Sequence, residues 1–73
     1  MPKLYSSKAI IKVLKRKGFI LVSQKGSHAK FQNTNNLSLI VIVPTPRKEI
    51  PIGTFRSILR QANLSEQEFK DTK

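Results

Sequence analysis

His28 is the only histidine of the chain, and it lies in the sequence KGSHAKF. Imidazole accepts and releases protons near neutral pH, so His28 is the first candidate for a general acid or base. Lys25 and Lys30 bring positive charge to either side of it. The backbone N–H groups of Gly26 and Ser27, and the serine hydroxyl, can meet the oxygens of an anion. This spacing favours proton transfer beside a bound phosphate group.

The same segment also has a simpler interpretation. A lone histidine on a surface strand needs no function, and composition alone favours that interpretation. Ser27 is not expected to act as a covalent nucleophile, because no carboxylate is evident that would orient His28 in a triad.

The chain is strongly basic. Its 73 residues contain 14 Lys and Arg against 4 Asp and Glu, which gives a formal charge of +10. Such an excess goes beyond what solubility requires and predicts a polyanionic partner. Glu66, Glu68 and Asp71 fall in the last eight residues, and Glu49 is the fourth acid. Because the sequence has no cysteine and Glu49 is the only acid outside the last eight residues, no metal site and no cofactor are expected.

Length and hydropathy predict one small domain over residues 1–73. A chain of this size has room for a single hydrophobic core. The N-terminal sequence MPKLYSSK has no apolar signal-peptide core, and the longest apolar run, LIVIV at 39–43, is far too short to span a bilayer. We therefore expect a cytoplasmic protein with no membrane partner.

Helical periodicity is clearest at residues 6–17. One face of this segment is apolar, and its opposite face repeats lysine and arginine, as in an amphipathic helix. The apolar positions are Ile10, Val13 and Leu14. Ser6 or Ser7 is expected to cap the helix, and Gly18 suits the left-handed position after its end.

A β-hairpin is predicted next. Residues 19–24 are mostly apolar and rich in β-branched side chains, Lys25 and Gly26 suit a tight turn, and residues 27–32 alternate with period two. Residues 33–36 (NTNN) form the following turn, because asparagine tolerates positive φ and bonds to its own backbone.

The remainder of the chain predicts one more strand and two helices. The segment LSLIVIV at 37–43 is apolar almost throughout and predicts a strand buried on both faces. Pro51 suits the first position of a second long helix. Ser65 and Glu68 have the spacing of a capping box for a short third helix, with Phe69 as its anchor in the core.

In this order the elements predict an α+β fold of the type α-β-β-β-α. Its simplest layout is a three-stranded antiparallel sheet with both long helices on one face. Alternation in the second strand then directs Ala29 and Phe31 to the core, and His28 and Lys30 to the open face. The candidate acid–base group is thus predicted to face solvent beside a cation.

Four motifs, taken in order, resemble one protein family. They are RKGF at 16–19, KGSH at 25–28, the strand end Val43-Pro44, and GTFRSILRQA at 53–62 in the second helix. Over roughly residues 7–69 they resemble the HicA family, the RNA-cleaving toxins of bacterial and archaeal toxin–antitoxin pairs. The resemblance implies a fold similar to a double-stranded-RNA-binding domain. It also implies that His28, in Gly-Ser-His, is the catalytic histidine.

The resemblance further implies the toxin of a type II toxin–antitoxin system. Its activity would be metal-independent endoribonuclease cleavage of mRNA with His28 as general acid or base, and its partner an acidic HicB-like antitoxin. The residue types add Lys25 and Lys30 for phosphate binding, and Gly26 and Ser27 as hydrogen-bond donors to the substrate.

The sequence departs from the family pattern at two positions. Pro46 stands where many members carry a second histidine, and Asn63 where a glycine is common after the second helix. The first departure leaves one imidazole for a reaction with two proton transfers, so the second proton must come from a lysine or from water.

Two other function classes stay open. An α-β-β-β-α domain can hold double-stranded RNA through phosphates and 2′-hydroxyls without any chemistry. The basic first helix could instead lie on a membrane surface, although it is short and has no aromatic residue on its apolar face. Loss of turnover without loss of RNA binding, on replacing His28, separates the enzyme from the binding module.

Overall fold

A computed structural model of the chain describes residues 4–70, so both ends of the predicted domain, residues 1–3 and 71–73, lie outside this part. The elements in chain order are α1 (Ser7–Arg16), β1 (Phe19–Lys25), β2 (His28–Asn33), β3 (Ile40–Pro44), α2 (Ile52–Ala62) and α3 (Glu66–Lys70). The strands form one antiparallel sheet in the order β1-β2-β3. This arrangement confirms the predicted α+β fold and its α-β-β-β-α order. Within residues 4–70, no helix has the length and apolar character that crossing a membrane requires.

Helix α1 begins and ends where its sequence predicts. The Ser6 hydroxyl caps the helix by accepting a hydrogen bond from the Ala9 N–H, at 3.1 Å. Gly18 follows the helix with φ of 91°, a left-handed conformation that an L side chain rarely adopts. The apolar stripe predicted for this helix is buried, and it consists of Ile10, Val13 and Leu14.

The core lies between the sheet and the two long helices. Helix α1 packs against β1 and β3, and α2 packs against β3. We call the sheet face under these helices the covered face; its buried apolar side chains are Phe19, Ala29, Phe31, Val41 and Val43. The opposite face, which we call the open face, carries no helix among residues 4–70. Both long helices therefore lie on one side of the sheet, as predicted.

The prediction for β3 was wrong in its start and in its burial. The strand begins at Ile40 rather than at residue 37, and only Val41 and Val43 are buried. Ile40 and Ile42 point to the open face, and each is 38% exposed. The apolar run looked like a strand covered on both sides, but two helices on one side leave no layer to cover the other.

Asn33 explains the late start of β3. Its Oδ1 accepts hydrogen bonds from the N–H groups of Asn35 and Asn36, at 2.8 and 3.0 Å. Its Nδ2 donates to the Lys17 carbonyl at 3.0 Å, so this buried side chain joins the end of α1 to the loop after β2. The loop held in this way continues to Leu39, which extends the predicted turn by three residues.

The C-terminal helices close the core with an aromatic cluster. Tyr5 stacks on Phe55 with ring centroids 4.9 Å apart, and Phe69 meets Phe55 edge-on at 5.2 Å. Phe69 is therefore the core anchor predicted for α3.

Pro51 occupies the cap before α2 rather than its first turn, a difference of one residue. Asn63 ends α2 with φ of 57°, where its tolerance of left-handed geometry serves in place of glycine.

Candidate active site

A β-bulge in β1 decides which of its side chains reach the open face. Leu21 pairs with Phe31, but the next pair is Ser23 with Lys30, so Val22 is an extra residue on β1. Because faces alternate with period two, an unbroken strand would direct Lys25 to the same side as buried Phe19. The bulge reverses the alternation. Ser23 and Lys25 consequently face the same side as Lys30.

The hairpin turn lies one residue later than predicted. Lys25 is the last residue of β1, and Gly26 and Ser27 form the turn, with Gly26 at φ of 54°. The Ser27 carbonyl accepts a hydrogen bond from the Thr45 N–H at 2.7 Å. This bond holds the turn against the end of β3, so the start of β2 is fixed on both sides.

The strand register aligns the open-face side chains in rows across the sheet. The first row is Lys25, His28 and Pro44, and the second is Ser23, Lys30 and Ile42. Neighbours within a row are on strands about 4.8 Å apart, and successive rows are about 7 Å apart along a strand. The imidazole of His28 therefore lies between a lysine across the strand and another lysine one row further along.

These side chains surround a shallow depression of about 200 Å³. Its lining residues are Ser23, Lys25, His28, Lys30 and Ile42. His28 and both lysines are exposed, whereas Ser23 is half-buried at its side. The structure thus brings together three of the five predicted site residues. Gly26 and Ser27 form the exposed turn at one end of the depression and do not line it.

Ser23 and Ile42 are lining residues that the sequence analysis did not single out. Both reach the site through strand pairing, which the sequence does not display. A partial signal was available at residues 20–22, where three successive apolar residues break the alternation that a half-buried strand requires.

The depression is electropositive. None of its lining residues is acidic, and in the part of the chain that the structure describes no carboxylate forms an ion pair with Lys25 or Lys30. The described acids lie elsewhere: Glu49 in an exposed loop, and Glu66 and Glu68 in α3. Residues 4–70 also contain no group of three His, Cys, Asp or Glu side chains that could hold a metal ion. The site therefore offers cations and one imidazole to an anionic ligand.

The carboxylate of Glu68 makes structural contacts outside the depression around His28. Its carboxylate accepts a hydrogen bond from the Ser65 N–H at 2.8 Å and lies 3.2 Å from Nζ of Lys17. The hydrogen bond from Ser65, and after it the interaction with Lys17, lower the pKa of Glu68. The bond from the Ser65 N–H is half of the predicted capping box, and the ion pair fastens α3 to the end of α1.

Pro46 lies in the loop after β3. Pro46 lines a separate depression at the start of α1, together with Ser7 and Arg47. The Ser7 hydroxyl accepts a hydrogen bond from the Arg47 N–H at 3.0 Å, which fixes this loop. Pro46 is therefore no part of the lining around His28.

Comparison of the sequence with models of protein families gives a match to one family. A family model described as the HicA toxin of bacterial toxin–antitoxin systems matches residues 7–64, a range that contains every residue lining the depression around His28. Comparison with curated proteins gives no match.

Proposed function

The chain belongs to the HicA toxin family, and on that premise we propose that it is a metal-independent endoribonuclease that cleaves mRNA, with His28 as general acid or base. The observation that carries this proposal is the depression in which His28, Lys25 and Lys30 converge, with no neutralising carboxylate beside them among residues 4–70. An imidazole among unpaired cations suits a reaction that moves a proton at a phosphodiester.

The reaction proposed is attack by the substrate's own 2′-hydroxyl. A base removes the 2′-OH proton, the oxygen forms a bond to the adjacent phosphorus, and the bond from phosphorus to the 5′-oxygen breaks. The departing 5′-oxygen takes up a proton, and the products are a 2′,3′-cyclic phosphate and a 5′-hydroxyl. Lys25 and Lys30 stabilise the charge that develops on the phosphoryl oxygens, as positioned cations do in phosphoryl transfer. Gly26 and Ser27 add hydrogen bonds from the turn.

His28 performs one of the two proton transfers. Pro46, at the position of the second histidine of many relatives, is a non-titrating residue outside this depression. The second proton is carried by a lysine or by water. A pair of histidines would divide these tasks, so we expect slower cleavage than in relatives that have both.

The proposed partner is an acidic HicB-like antitoxin. A formal charge of +10 attracts an acidic protein by steering and by complementarity. Such a protein inhibits most directly by covering the open face around His28. Co-expression with the neighbouring gene should restore growth and yield a co-purifying complex; toxicity that persists without a complex would contradict the toxin–antitoxin pairing.

Analysis of the product ends tests the chemistry. Cleavage of an RNA oligonucleotide should leave 2′,3′-cyclic phosphate, or the monophosphate formed by its hydrolysis, and 5′-hydroxyl ends. EDTA should have no effect, and DNA of the same sequence should bind without being cut. Ends with 5′-phosphate and 3′-hydroxyl, or activity lost with EDTA and restored by Mg²⁺, would refute the mechanism.

A second candidate is a binding module for double-stranded RNA without catalysis. It is favoured by a second cationic surface on the outer side of α1, where Lys8, Lys15 and Arg16 are exposed. Because α1 packs on the covered face, this surface and the open face lie on opposite sides of the sheet. Under this alternative, substitutions on α1 weaken RNA binding more than substitutions around His28.

A further inference from the structure

On the open face, β2 and β3 present a polar track and an apolar track side by side. Strand β2 contributes the polar side chains His28, Lys30 and Gln32. Strand β3 contributes one apolar side chain opposite each of them, and we call these three the apolar ridge: Pro44, Ile42 and Ile40. The two tracks run side by side for three rows.

The apolar ridge is accessible to a ligand. Ile40 and Ile42 are each 38% exposed, and Pro44 is half-buried. Contiguous apolar side chains on a surface that the fold leaves uncovered mark a contact site more often than scattered ones do. Ile42 also lines the depression around His28, so a ligand bound there contacts the ridge directly.

We propose that the apolar ridge binds the nucleobases of a single-stranded RNA whose phosphodiester backbone lies on the polar track. This inference rests on the proposed function and names the form of its substrate. A single strand carries the same division as the open face, with charged phosphates along one side and apolar base faces along the other.

The spacing of the rows supports a strand lying along β2 and β3. Side chains on one face recur every two residues, which is about 7 Å, and neighbouring strands are about 4.8 Å apart. An extended nucleic acid strand advances by a similar step at each nucleotide. Ile42 is the ridge residue that lines the depression with His28, whereas Pro44, directly opposite His28, does not line it. With the scissile phosphate in this depression, the nearest base therefore meets Ile42 and the following base meets Ile40.

Neither a duplex nor a second copy of this chain fits the ridge as well. A duplex hides its base faces in the stack and presents phosphates and riboses, which would leave the isoleucines without an apolar contact. Two copies facing each other would each bring a formal charge of +10 to the contact and repel.

The test uses substrates with one cleavable bond. A DNA oligonucleotide with a single ribonucleotide fixes the scissile phosphate, because one 2′-hydroxyl is present. A series of such oligonucleotides then carries an abasic residue at the first, second or third position from the scissile bond on each side. The kcat/KM of each substrate is measured with the wild-type chain and with Ile42→Ser and Ile40→Ser.

Ile20→Ser is the matched control. Ile20 has the same side chain, lies on the open face in the same row as Ile40, and is 52% exposed, but it belongs to β1 and not to the ridge. Ile42→Ser and Ile40→Ser should each lower kcat/KM on the intact substrate about fivefold to tenfold, as expected for loss of one partly buried apolar contact. Ile20→Ser should change it less than twofold.

The proposal is tested by comparing how much each abasic residue lowers kcat/KM in the wild-type chain and in each isoleucine variant. If Ile42 contacts the nearest base, an abasic residue at that position should lower the kcat/KM of the wild-type chain by about the same factor as Ile42→Ser does. The same abasic residue should hardly change the kcat/KM of Ile42→Ser, because the contact is already lost. Ile40→Ser should show the same coupling one position further. The proposal would be overturned if the isoleucine variants lost the same factor in kcat/KM on intact and abasic substrates, or lost nothing on any of them. So would isoleucine variants that weaken only the binding of the antitoxin, since the ridge would then be a protein contact.

A binding measurement separates this inference from the proposed catalysis. If the wild-type chain cuts none of the substrates, the endoribonuclease assignment fails, and fluorescence anisotropy with the same oligonucleotides takes the place of kinetics. Tighter binding of intact over abasic strands, lost in Ile42→Ser but kept in Ile20→Ser, would still support the base-binding ridge. Equal affinity of all chains for all strands would overturn it.

Discussion

The covered and open faces of the sheet use the same strands under opposite constraints. Along β2, Ala29 and Phe31 are each 2% exposed, while His28 and Lys30, which alternate with them, are exposed to solvent. Residues on the covered face must match the shape of α1 and α2, because interiors pack at crystal-like density. Residues on the open face meet no such requirement, so their types are available for chemistry.

Under the proposed function, stability depends on the covered face and activity on the open face of one sheet. A substitution on the covered face removes packing and acts on the free energy of unfolding. A substitution on the open face leaves the core intact and acts on binding or turnover.

The largest expected effect is on the open face. His28→Ala should lower cleavage about 10²–10⁴-fold, because it removes the proposed general acid or base. Its melting temperature and its RNA affinity should stay near those of the wild-type chain, since the side chain is exposed. Gln24→Ala, which alters an exposed residue on the other side of the same hairpin, is the control. Full activity of purified His28→Ala would remove the catalytic assignment.

The next largest effect is expected on the covered face, where a substitution should lower stability and not cleavage. Phe31→Ala should reduce the free energy of unfolding by about 3–5 kcal/mol, because it leaves a cavity in the core. That is a large share of the total for a domain of this size, about 5–15 kcal/mol at most. Phe31→Leu should cost much less. Urea unfolding measures both variants, and a loss of activity in Phe31→Leu at unchanged stability would contradict the division between the faces.

The sequence predicted the two faces of β2 because a strand with one buried side alternates strictly. It did not predict the matching faces of β1, since the extra residue Val22 changes the parity and the apolar run at 20–22 is only a partial signal of it. It also failed at Ile40 and Ile42, whose apolar character is that of a buried strand. Whether a layer covers such a strand depends on the number of helices, which is a property of the whole fold.

A smaller effect tests which cationic surface holds RNA. Lys25→Ala and Lys30→Ala should each lower the slope of log affinity against log salt by about one unit at most, since each removes one phosphate contact. Lys15→Ala removes the same charge from the exposed face of α1 and should leave the slope nearly unchanged. A larger change with Lys15→Ala would favour the double-stranded-RNA module over cleavage on the open face. Filter binding at several salt concentrations distinguishes the two.

The smallest expected effect belongs to neither face of the sheet. Glu68 fastens α3, whose Phe69 packs into the core. The hydrogen bond from Ser65 and the ion pair with Lys17 lower the pKa of its carboxyl group from the ordinary value. A carboxyl group whose pKa is lowered by folding stabilises the fold when ionised, so its contribution is complete above the unfolded value and disappears as the pH falls through the folded value.

Glu68→Gln should therefore melt slightly below the wild-type chain at pH 7. The difference should decrease toward acid pH and vanish once the pH has fallen through the lowered pKa of Glu68, because both side chains are then neutral. Because the carboxylate is well solvated, the difference at pH 7 should be small and should decrease with added salt. Cleavage at pH 7 should be unaffected, since Glu68 lies outside the depression around His28. Thermal melts across this pH range provide the measurement. A melting difference that grew toward acid pH would mean that the ion pair destabilises the folded chain, and a loss of cleavage would mean that α3 influences the open face.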